Sequence, residues 1–406
     1  MKGAWFLTSK PPMRVGVAGL GRAFVLTLPS FKADPRVKLV ACAAPRQESR
    51  DAFRQEFGGN SHATVDAMCA DPTVEAVYIA TPHQLHREHA EAALRAGKHV
   101  LVDKPLCVSL QDALAIAETA ERTGRHVVVG PSHSFDLPVL KALEMIETGS
   151  YGRVRMIHAL NYTDFLYRPR RPEELVTDEG GGVVFSQAVH QVDIVRLLGG
   201  GMVSHLRAST GQWDAERPTE CAYAAHLTFE GGAFASMTYS GFAHFDSNEY
   251  CGWTGELGHA VDPKSYGGAR RALMDVEDAD AEARLKSGRT FGAAADLPWA
   301  SENEHFGPVI VSCDRADLRL TPKGIWVYGH IEKEFVQVPV GAVPRRGVID
   351  ALWSAVRDDK PAIQDARWGA ASLEVCHGIL ASARQGREVA FEHQVPVRGR
   401  TARKPG

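Results

Sequence analysis

The sequence predicts an α/β fold whose first part is a doubly wound parallel sheet. Strand and helix patterns alternate regularly up to about residue 135, and the first strand pattern enters a glycine turn near residue 19. Repeated β-α units of this length are typical of open parallel sheets, which bind ligands beyond the carboxyl ends of their strands. The 406-residue chain is too long for one core, so we expect a second domain.

The first strand leads into a Gly-Leu-Gly turn, and a helix pattern follows at once. The two glycines match the start of G-x-G-x-x-G, in which the first permits a tight turn and the second lets the backbone approach a pyrophosphate. Phe24 stands in the third glycine position. Because amides at a helix N-terminus bind anions, we expect Gly19, Gly21, Arg22, Ala23 and Phe24 to hold a dinucleotide. An ordinary strand-to-helix connection is the alternative for the two glycines alone.

The later β-α units supply the rest of the predicted sheet. Strand patterns cover residues 37–42, 74–80, 99–103 and 126–130, and helix patterns cover residues 22–32, 47–57, 85–96 and 109–123. Polar motifs follow three of these strands at residues 81–86, 103–105 and 131–135, so we expect them to line one cleft. They add the candidate cofactor-binding residues Thr81, Pro82, His83, His86, Asp103 and Lys104.

Two features of this region leave alternatives open. The second strand ends without the carboxylate that usually bonds the ribose 2′-hydroxyl of NAD, and Arg46 follows it. Arg46 would suit the 2′-phosphate of NADP, stack on adenine or lie in solvent, so NAD and NADP both remain open. His83, His86 and His89 have a spacing that a metal site could use, but no carboxylate or cysteine completes the set. We therefore predict no metal.

Composition excludes several classes of function. The net charge of −3 gives no basic surface for nucleic acid or for an anionic membrane. The seven cysteines are scattered without a C-x-x-C pair, which indicates a reducing compartment. No apolar stretch reaches the roughly 18 residues that a membrane span needs, and the apolar patch at residues 4–7 is too short for a signal sequence. We expect a cytoplasmic protein.

Three motifs together resemble the Gfo/Idh/MocA oxidoreductases: the Gly-Leu-Gly turn, Thr81-Pro82 with His86, and Asp103-Lys104-Pro105 in place of the family's E-K-P. The family signature G-G-G-x-x-x-D-x-G-x-H-x-x-D is similar to residues 180–193, where His190 and the final aspartate match but Ser186 replaces the active-site aspartate. The resemblance implies a Rossmann domain at 13–135 and an α+β domain with an open, mostly antiparallel sheet at 136–395. We also expect tails at 1–12 and 396–406, and C-terminal helices that return to the first domain.

Within that family, residues 16–24, 132–136, 161–164, 167–172 and 185–191 resemble the phthalate 4,5-cis-dihydrodiol dehydrogenases. The resemblance implies oxidation of a carboxylated aromatic cis-dihydrodiol to a catechol in the degradation of aromatic acids. It favours NAD over NADP and implies a homodimer or homotetramer. Residues 245–305 exceed the usual family length. We interpret that stretch as a lid, an oligomer contact or a surface insertion.

Substrate-binding candidates follow from the chemistry of such a diol. Guanidinium groups bind carboxylates bidentately, so we expect at least one arginine of the proline-bracketed loop to meet a substrate carboxylate, although a solvated turn is the alternative for each. Loss of a negative charge at Ser186 suits a carboxylated substrate, and Asn161 and Gln187 are candidates to bond the diol. The substrate-binding set is Asn161, Arg168, Arg170, Arg171, Ser186 and Gln187.

Lys104 and His190 are the catalytic candidates. A lysine buried in a cleft has a lowered pKa and can accept the hydroxyl proton during hydride transfer. His190 would relay the proton or anchor the hydroxyl, with Asp193 orienting its imidazole. A sugar or inositol dehydrogenase of the same family and a non-catalytic NAD(P)-binding redox sensor are the alternatives. The arginine loop argues against a neutral polyol as the substrate. The presence of Lys104 and His190 argues against a redox sensor, although the loss of the aspartate at Ser186 would support one.

Overall fold

The computed structural model describes residues 10–293 and 299–398, which fold around two sheets. The strands of the first sheet are β1 (Met13–Ala18), β2 (Val37–Ala43), β3 (Asn60–His62), β4 (Ala76–Ile79), β5 (His99–Val102) and β6 (Val127–Val129). They are parallel and lie in the order β3-β2-β1-β4-β5-β6. The predicted doubly wound parallel sheet is therefore confirmed.

The helices of the first sheet cover both of its faces. They are α1 (Arg22–Ala33), α2 (Gln47–Phe57), α3 (Val65–Cys69), α4 (His86–Arg95) and α5 (Leu110–Thr123). Successive strand residues enter two different cores: Val15 and Tyr78 belong to one, and Val77 and Ile79 to the other. This explains the near-continuous apolar runs of the sequence, because a parallel sheet is buried on both faces.

The second sheet is mixed and mostly antiparallel, as predicted. Its strands are β7 (Val154–Tyr162), β8 (Val203–Gly211), β9 (Ala222–Phe229), β10 (Phe234–Ser240), β11 (Val309–Cys313), β12 (Asp317–Thr321), β13 (Gly324–Tyr328), β14 (Lys333–Gln337) and β15 (Val389–Ala390). Their order is β14-β13-β12-β11-β7-β10-β9-β8-β15, with β7 and β10 parallel. The helices α6 (Leu137–Glu147) and α7 (Val189–Gly199) pack together beside this sheet.

The last two helices bring the chain back to the first sheet. In α10 (Arg346–Asp358), Val348 and Ile349 are buried in the same core as Val15. The helix α11 (Ala366–Gln385) contacts both α5 and β8 and so joins the two halves. Among the described residues, no helix combines the length and apolar character needed to cross a membrane.

The predicted tails fall mostly on residues 1–9 and 399–406, outside the described part of the chain. The described end of the second tail differs from the prediction, because Val397 is buried and Arg398 is paired with Asp365. Val397 also donates its backbone N–H to Gly200 O at 3.2 Å. These contacts explain why the ordered fold extends past residue 395.

Residues 245–305 form a long connection between β10 and β11, which we call the insertion. It contains α8 (Gly268–Met274) and α9 (Ala279–Ser287), and residues 294–298 within it are not described. Beyond α9, Phe291 packs against the first domain, with its ring centroid 5.3 Å from that of Phe24 and 6.1 Å from that of Phe57. The insertion therefore starts at the second sheet and reaches the first one.

Candidate active site

A cleft of about 770 Å³ lies at the carboxyl ends of the strands of the first sheet. Its first wall comes from the turn after β1 and the ends of β2, β4 and β5, and the insertion and residues 171–186 supply the facing wall. The sequence-predicted residues that line it are Gly19, Gly21, Arg22, Ala23, Arg46, Thr81, Pro82, His83, Asp103, Arg171 and Ser186. Clefts of this size accommodate cofactors.

The glycine turn has the geometry that a bound pyrophosphate needs. Gly19 has φ +91°, and a Cβ there would lie 2.7 Å from the carbonyl oxygen of Ala80, so a larger residue would clash with the end of β4. Gly21 is the N-cap of α1, whose first residues Arg22 and Ala23 line the cleft. The helix N-terminus thus faces the cleft, where its amides can bind an anion.

Three predicted cofactor residues are not among those that line the cleft: Phe24, His86 and Lys104, the last of which contacts the cleft-lining Ser186. Phe24 is fully buried and packs in the core, because the third residue of α1 falls on the inner face of that helix. His86 is also fully buried, with its ring nitrogens 3.0 Å from Pro105 O and 2.9 Å from Thr81 O. His86 therefore holds two strand-end loops together instead of lining the cleft.

The histidines after β4 have separate partners. His83 and His89 both line the cleft, and His89 Nδ1 lies 3.0 Å from Thr81 Oγ1. Burial, with the nearby charges of His86 and Lys104, lowers the pKa of His83 well below its ordinary value. Within residues 10–293 and 299–398, no three histidine, cysteine or carboxylate side chains come together as a metal-binding group.

The end of β2 meets the insertion across the cleft. Arg46 donates from its guanidinium to Thr290 Oγ1 at 2.7 Å, and both residues line the cleft. Lys286 at the end of α9 forms an ion pair with Glu174 within the facing wall. Sequence reasoning missed Lys286 and Thr290, because nothing local in the insertion indicates that it folds back over β2.

Lys104 stands at the inner edge of the cleft. Its Nζ donates to the backbone carbonyl oxygen of Ser186 at 2.9 Å, so the predicted base and the predicted substrate loop are in contact. Burial lowers the pKa of Lys104 below its ordinary value of 10.5, although Asp103 acts in the opposite direction. The Lys104–Pro105 peptide bond is cis.

His190 lies beside a second histidine that the sequence-based site set omitted. Its Nδ1 accepts a hydrogen bond from the backbone N–H of His133 at 3.4 Å, and the two rings are 4.7 Å apart. Burial, together with the charges of Lys104 and His133, lowers the pKa of His190 well below its ordinary value. His190 is therefore neutral at physiological pH.

The prediction that Asp193 orients His190 is wrong. The Asp193 carboxylate accepts hydrogen bonds from Ser134 Oγ, at 2.5 Å, and from Trp368 Nε1. These donors come from the loop after β6 and from α11, so Asp193 fastens α7 to its neighbours. Contacts this distant along the chain cannot be read from spacing on one helix.

His133 and Asp136 form a buried pair next to His190. His133 Nδ1 lies 2.7 Å from Asp136 Oδ2. Burial alone would lower the pKa of His133, but Asp136 raises it, and burial raises the pKa of Asp136 to about 6. The sequence signal was the His133-Ser134-Phe135-Asp136 segment at the end of β6, where a strand-end ligand site was already expected.

The three predicted substrate arginines diverge. Arg168 lies with Nε 3.3 Å from Asp164 and its terminal nitrogen 3.5 Å from Glu256 Oε2. Arg170 donates to Phe165 O at 2.6 Å and lies 3.6 Å over the ring of that residue. Arg171 lines the cofactor-sized cleft instead. Of the three arginines, Arg168 is therefore the one paired with Glu256.

Glu256 is the functional candidate that sequence reasoning did not find. It lies in the insertion, outside any motif, and accepts a hydrogen bond from Asn161 Nδ2 at 3.0 Å. Asn161 Oδ1 in turn accepts from Ser247 Oγ at 2.8 Å, so this amide is engaged at both ends. Gln187 is buried next to Ser186 in the helical turn before α7.

Electrostatic effects connect these groups into one cluster. The charge of Glu256 acts on the pKa of both Lys104 and His133, and Lys104 acts on that of His190. We call Lys104, His133, His190, Arg168 and Glu256 the inner site. A base, a neutral imidazole, a guanidinium and a carboxylate thus lie next to a cleft that suits a dinucleotide, which is the set of groups needed to oxidise a charged alcohol.

Comparison with known proteins assigns both halves of the chain. Residues 13–131 match the model described as the oxidoreductase family with an NAD-binding Rossmann fold, and residues 139–261 match the GFO/IDH/MocA C-terminal domain. The second match extends into the insertion as far as residue 261, so the loop that carries Glu256 lies within the family domain. The predicted family is confirmed.

Individual relatives agree with this family assignment. The 1-carboxy-3-chloro-3,4-dihydroxycyclohexa-1,5-diene dehydrogenase of Comamonas testosteroni is 44% identical, over 91% of this chain and 94% of its own. A crystal structure from Bordetella bronchiseptica RB50, described as that of a dehydrogenase, is 42% identical with a TM-score of 0.89, over 94% of this chain and all of its own.

A sugar-modifying relative is more distant. The dTDP-3,4-didehydro-2,6-dideoxy-alpha-D-glucose 3-reductase of Actinomadura kijaniata is 29% identical, over 61% of this chain and 74% of its own. The Actinomadura enzyme thus matches a smaller part of the chain at lower identity than the Comamonas enzyme does. Since family models match both domains and a 44% identical relative spans nearly the full length, this chain belongs to the GFO/IDH/MocA family and is an NAD(P)-dependent oxidoreductase.

Proposed function

We propose that this protein oxidises the cis-diol of a carboxylated cyclohexadiene to the corresponding catechol in the breakdown of aromatic acids, with NAD or NADP as cofactor. The observation that carries the proposal is the ion pair between Arg168 and Glu256, together with the charges of Glu256 and Arg170 that act on the pKa of Lys104. Guanidinium groups bind carboxylates in a geometry that a neutral polyol does not use. The carboxylated dihydroxycyclohexadiene named for the Comamonas relative has the groups that such a site would bind.

Within this class we propose phthalate 4,5-cis-dihydrodiol as the first substrate to test. Two neighbouring guanidinium groups, those of Arg168 and Arg170, suit two ring carboxylates. The substrate in the Comamonas enzyme's name carries one carboxylate and one chlorine. Both compounds share a carboxylate and a vicinal diol, and the roles proposed below depend on those two groups alone.

The residues of the large cleft fit a nicotinamide dinucleotide. Gly19 makes the turn tight, a Cβ at Gly21 would come no closer than 4.0 Å to another residue, and the start of α1 offers amides to a pyrophosphate. When bound, this cofactor accepts a hydride from the carbinol carbon. Arg46, at the end of β2, is proposed to lie at its adenosine ribose, and the family resemblance favours NAD.

Lys104 is the proposed acceptor of the hydroxyl proton. Its lowered pKa increases the neutral fraction of the amine at physiological pH, and only the neutral amine accepts a proton. The hydrogen bond to the Ser186 carbonyl limits the directions in which Nζ can point. Once the proton has left the oxygen and the hydride has left the carbon, the resulting ketone tautomerises to the aromatic catechol without further help.

His190 is proposed to hold a diol oxygen. Because Nδ1 accepts the backbone N–H of His133, the neutral ring carries its hydrogen on Nε2. That nitrogen is then a donor, which suits an anchor for a hydroxyl oxygen better than a relay that must first accept a proton. Gln187 and Asn161 remain proposed contacts for the diol, and Ser186 a proposed contact for the carboxylated substrate.

Cofactor reduction tests the proposal. The purified protein is mixed with phthalate 4,5-cis-dihydrodiol and with the chlorinated carboxylated diol, each with NAD and with NADP, and absorbance of the reduced cofactor is followed. Turnover of either diol supports the function and identifies the cofactor. Turnover of glucose or inositol alone would assign a polyol dehydrogenase, and cofactor binding without turnover of any diol would assign a redox sensor.

We further propose a homodimer or homotetramer in the cytoplasm. The exposed apolar residues Met156, Phe234, Tyr328 and Phe335 belong to the second sheet, which suits a subunit interface. Six buried cysteines, Cys42, Cys69, Cys107, Cys221, Cys251 and Cys376, are free thiols, which suits a reducing compartment. Light scattering coupled to size-exclusion chromatography measures the oligomeric state.

A further inference from the structure

Glu256 is held in a rigid part of the insertion. Its backbone carbonyl accepts the N–H of His305 at 3.2 Å, and the ring of His305 lies 2.8 Å from Thr254 O. His305 Nδ1 accepts the N–H of Gly307 at 3.0 Å. The loop is therefore tied to the residues that lead into β11, and the position of the carboxylate is set by the fold.

The two oxygens of the Glu256 carboxylate differ in their surroundings. Oε1 is bonded to Asn161 Nδ2 at 3.0 Å, and Asn161 is fixed by Ser247. Oε2 has Arg168 at 3.5 Å, which is longer than the roughly 2.7–2.9 Å of a tight charge-assisted hydrogen bond. Oε2 is therefore oriented but not tightly bonded, so it can accept a further hydrogen bond.

Glu256 is negatively charged where it stands. Burial alone would raise the pKa of its carboxyl group, but Arg168, His133 and Asn161 together bring it below the ordinary value. Its side chain is 17% exposed. A largely buried charge costs stability unless it is well paired, so its place in a ligand-binding region with one loosely paired oxygen suggests a role in binding.

We propose that Glu256 is a substrate-binding residue that accepts a hydrogen bond from a diol hydroxyl through Oε2, while Arg168 turns to the substrate carboxylate. This inference rests on the proposed function and deepens it. In this proposal Glu256 recognises the diol and Arg168 recognises the carboxylate. The substrate therefore separates the loose ion pair that the two residues form. A ligand with only a carboxylate would then compete with Glu256 for Arg168, whereas a ligand with only the diol would depend on Glu256.

Two half-ligands separate these tasks. Benzoate carries the carboxylate without the diol, and catechol carries the diol without the carboxylate. Their affinities for the full-length protein saturated with NAD⁺ are measured by calorimetry for the wild type and for Glu256→Gln. Glu249→Gln is the matched control, because Glu249 is an exposed residue of the same insertion. Melting temperature and NADH binding verify that each variant is folded.

The expected result is opposite for the two probes. Glu256→Gln should weaken catechol binding at least tenfold, and it should leave benzoate binding unchanged or tighten it, because Arg168 loses its internal competitor. Glu249→Gln should change neither affinity by more than twofold. Catechol affinity within twofold of the wild type would overturn the proposal, as would an equal loss for both probes, which would indicate a structural role.

Failure of the function itself gives a different pattern. If the wild type turns over a carboxylated diol but Glu256→Gln binds catechol normally, the proposed role of Glu256 is overturned and the proposed function is supported. If the wild type neither binds the two probes nor turns over either diol, both are overturned. Should Glu256→Gln not fold, Glu256→Asp keeps the charge but withdraws Oε2, and the same selective loss of catechol binding is expected.

Discussion

Lys104 Nζ is hydrogen-bonded to the backbone carbonyl oxygen of Ser186 at 2.9 Å. The contact joins the loop after β5 to the helical turn before α7 and so connects the two domains at the inner site. It depends on the backbone of residue 186 and not on its side chain. Replacement of an aspartate by serine at this position therefore leaves the direction of the lysine unchanged.

Removing the amine of Lys104 tests its role as proton acceptor. We expect Lys104→Met to lower kcat about 10²- to 10⁴-fold, the range for loss of a general base, while NADH affinity stays within about threefold. Steady-state kinetics and fluorescence titration measure the two quantities. Lys38→Met, at an exposed site on β2, is the control and should retain full activity. Comparable kcat values in the two variants would contradict the assignment.

The pH profile tests the lowered pKa of Lys104. The base must be neutral, so kcat/KM should rise with pH and level off above an apparent pKa lower than the ordinary 10.5. Asp103 acts to raise this pKa, so Asp103→Asn should move the rising limb to lower pH. A shift to higher pH, or no shift, would show that the limb reports another group.

Separate arginine variants test substrate recognition. Arg168→Ala should raise KM for a carboxylated diol at least tenfold, because a carboxylate loses a charged partner in a buried site. Arg171→Ala, which alters the cofactor cleft, should raise KM for the cofactor more than KM for the diol. Initial-rate kinetics with both substrates varied distinguish these effects. Unchanged diol KM in Arg168→Ala would rule out the proposed carboxylate contact.

Arg46 tests the choice of cofactor. Its guanidinium uses one nitrogen on Thr290 and presents further donors to the cleft at the end of β2. Arg46→Ala should weaken NADPH binding about tenfold or more and leave NADH binding within about twofold, because only NADPH carries a 2′-phosphate. Fluorescence titration gives both constants. Equal losses would place Arg46 at a part common to both cofactors.

The sequence was informative where local rules govern the structure. Parallel β-α units place strand ends at one edge, so the convergence of Gly19, Thr81 and Asp103 could be predicted without knowing any distance. Helix periodicity also shows why Phe24 does not line the cleft: the third residue of α1 faces the core. A motif position marks a place in the chain, not the direction of its side chain.

Contacts between distant segments could not be predicted in this way. Glu256 reaches Asn161 across 95 residues, and Arg46 reaches Thr290 across 244. Asp193 bonds Trp368 on α11 and not the neighbouring His190. Each of these pairings is decided by how the insertion or a C-terminal helix packs, and a single sequence carries no spacing rule for such packing.

The insertion that bears Glu256 also places Lys286 and Thr290 in the cofactor cleft and Phe291 against the core of the first domain. One covalent segment thus carries both residues of the cleft and the proposed substrate contact, and we expect that ordering it for one ligand prepares it for the other. Cofactor and substrate affinities are then thermodynamically linked, and such linkage is reciprocal. The factor by which NADH tightens benzoate must equal the factor by which benzoate tightens NADH, and we expect this factor to exceed one.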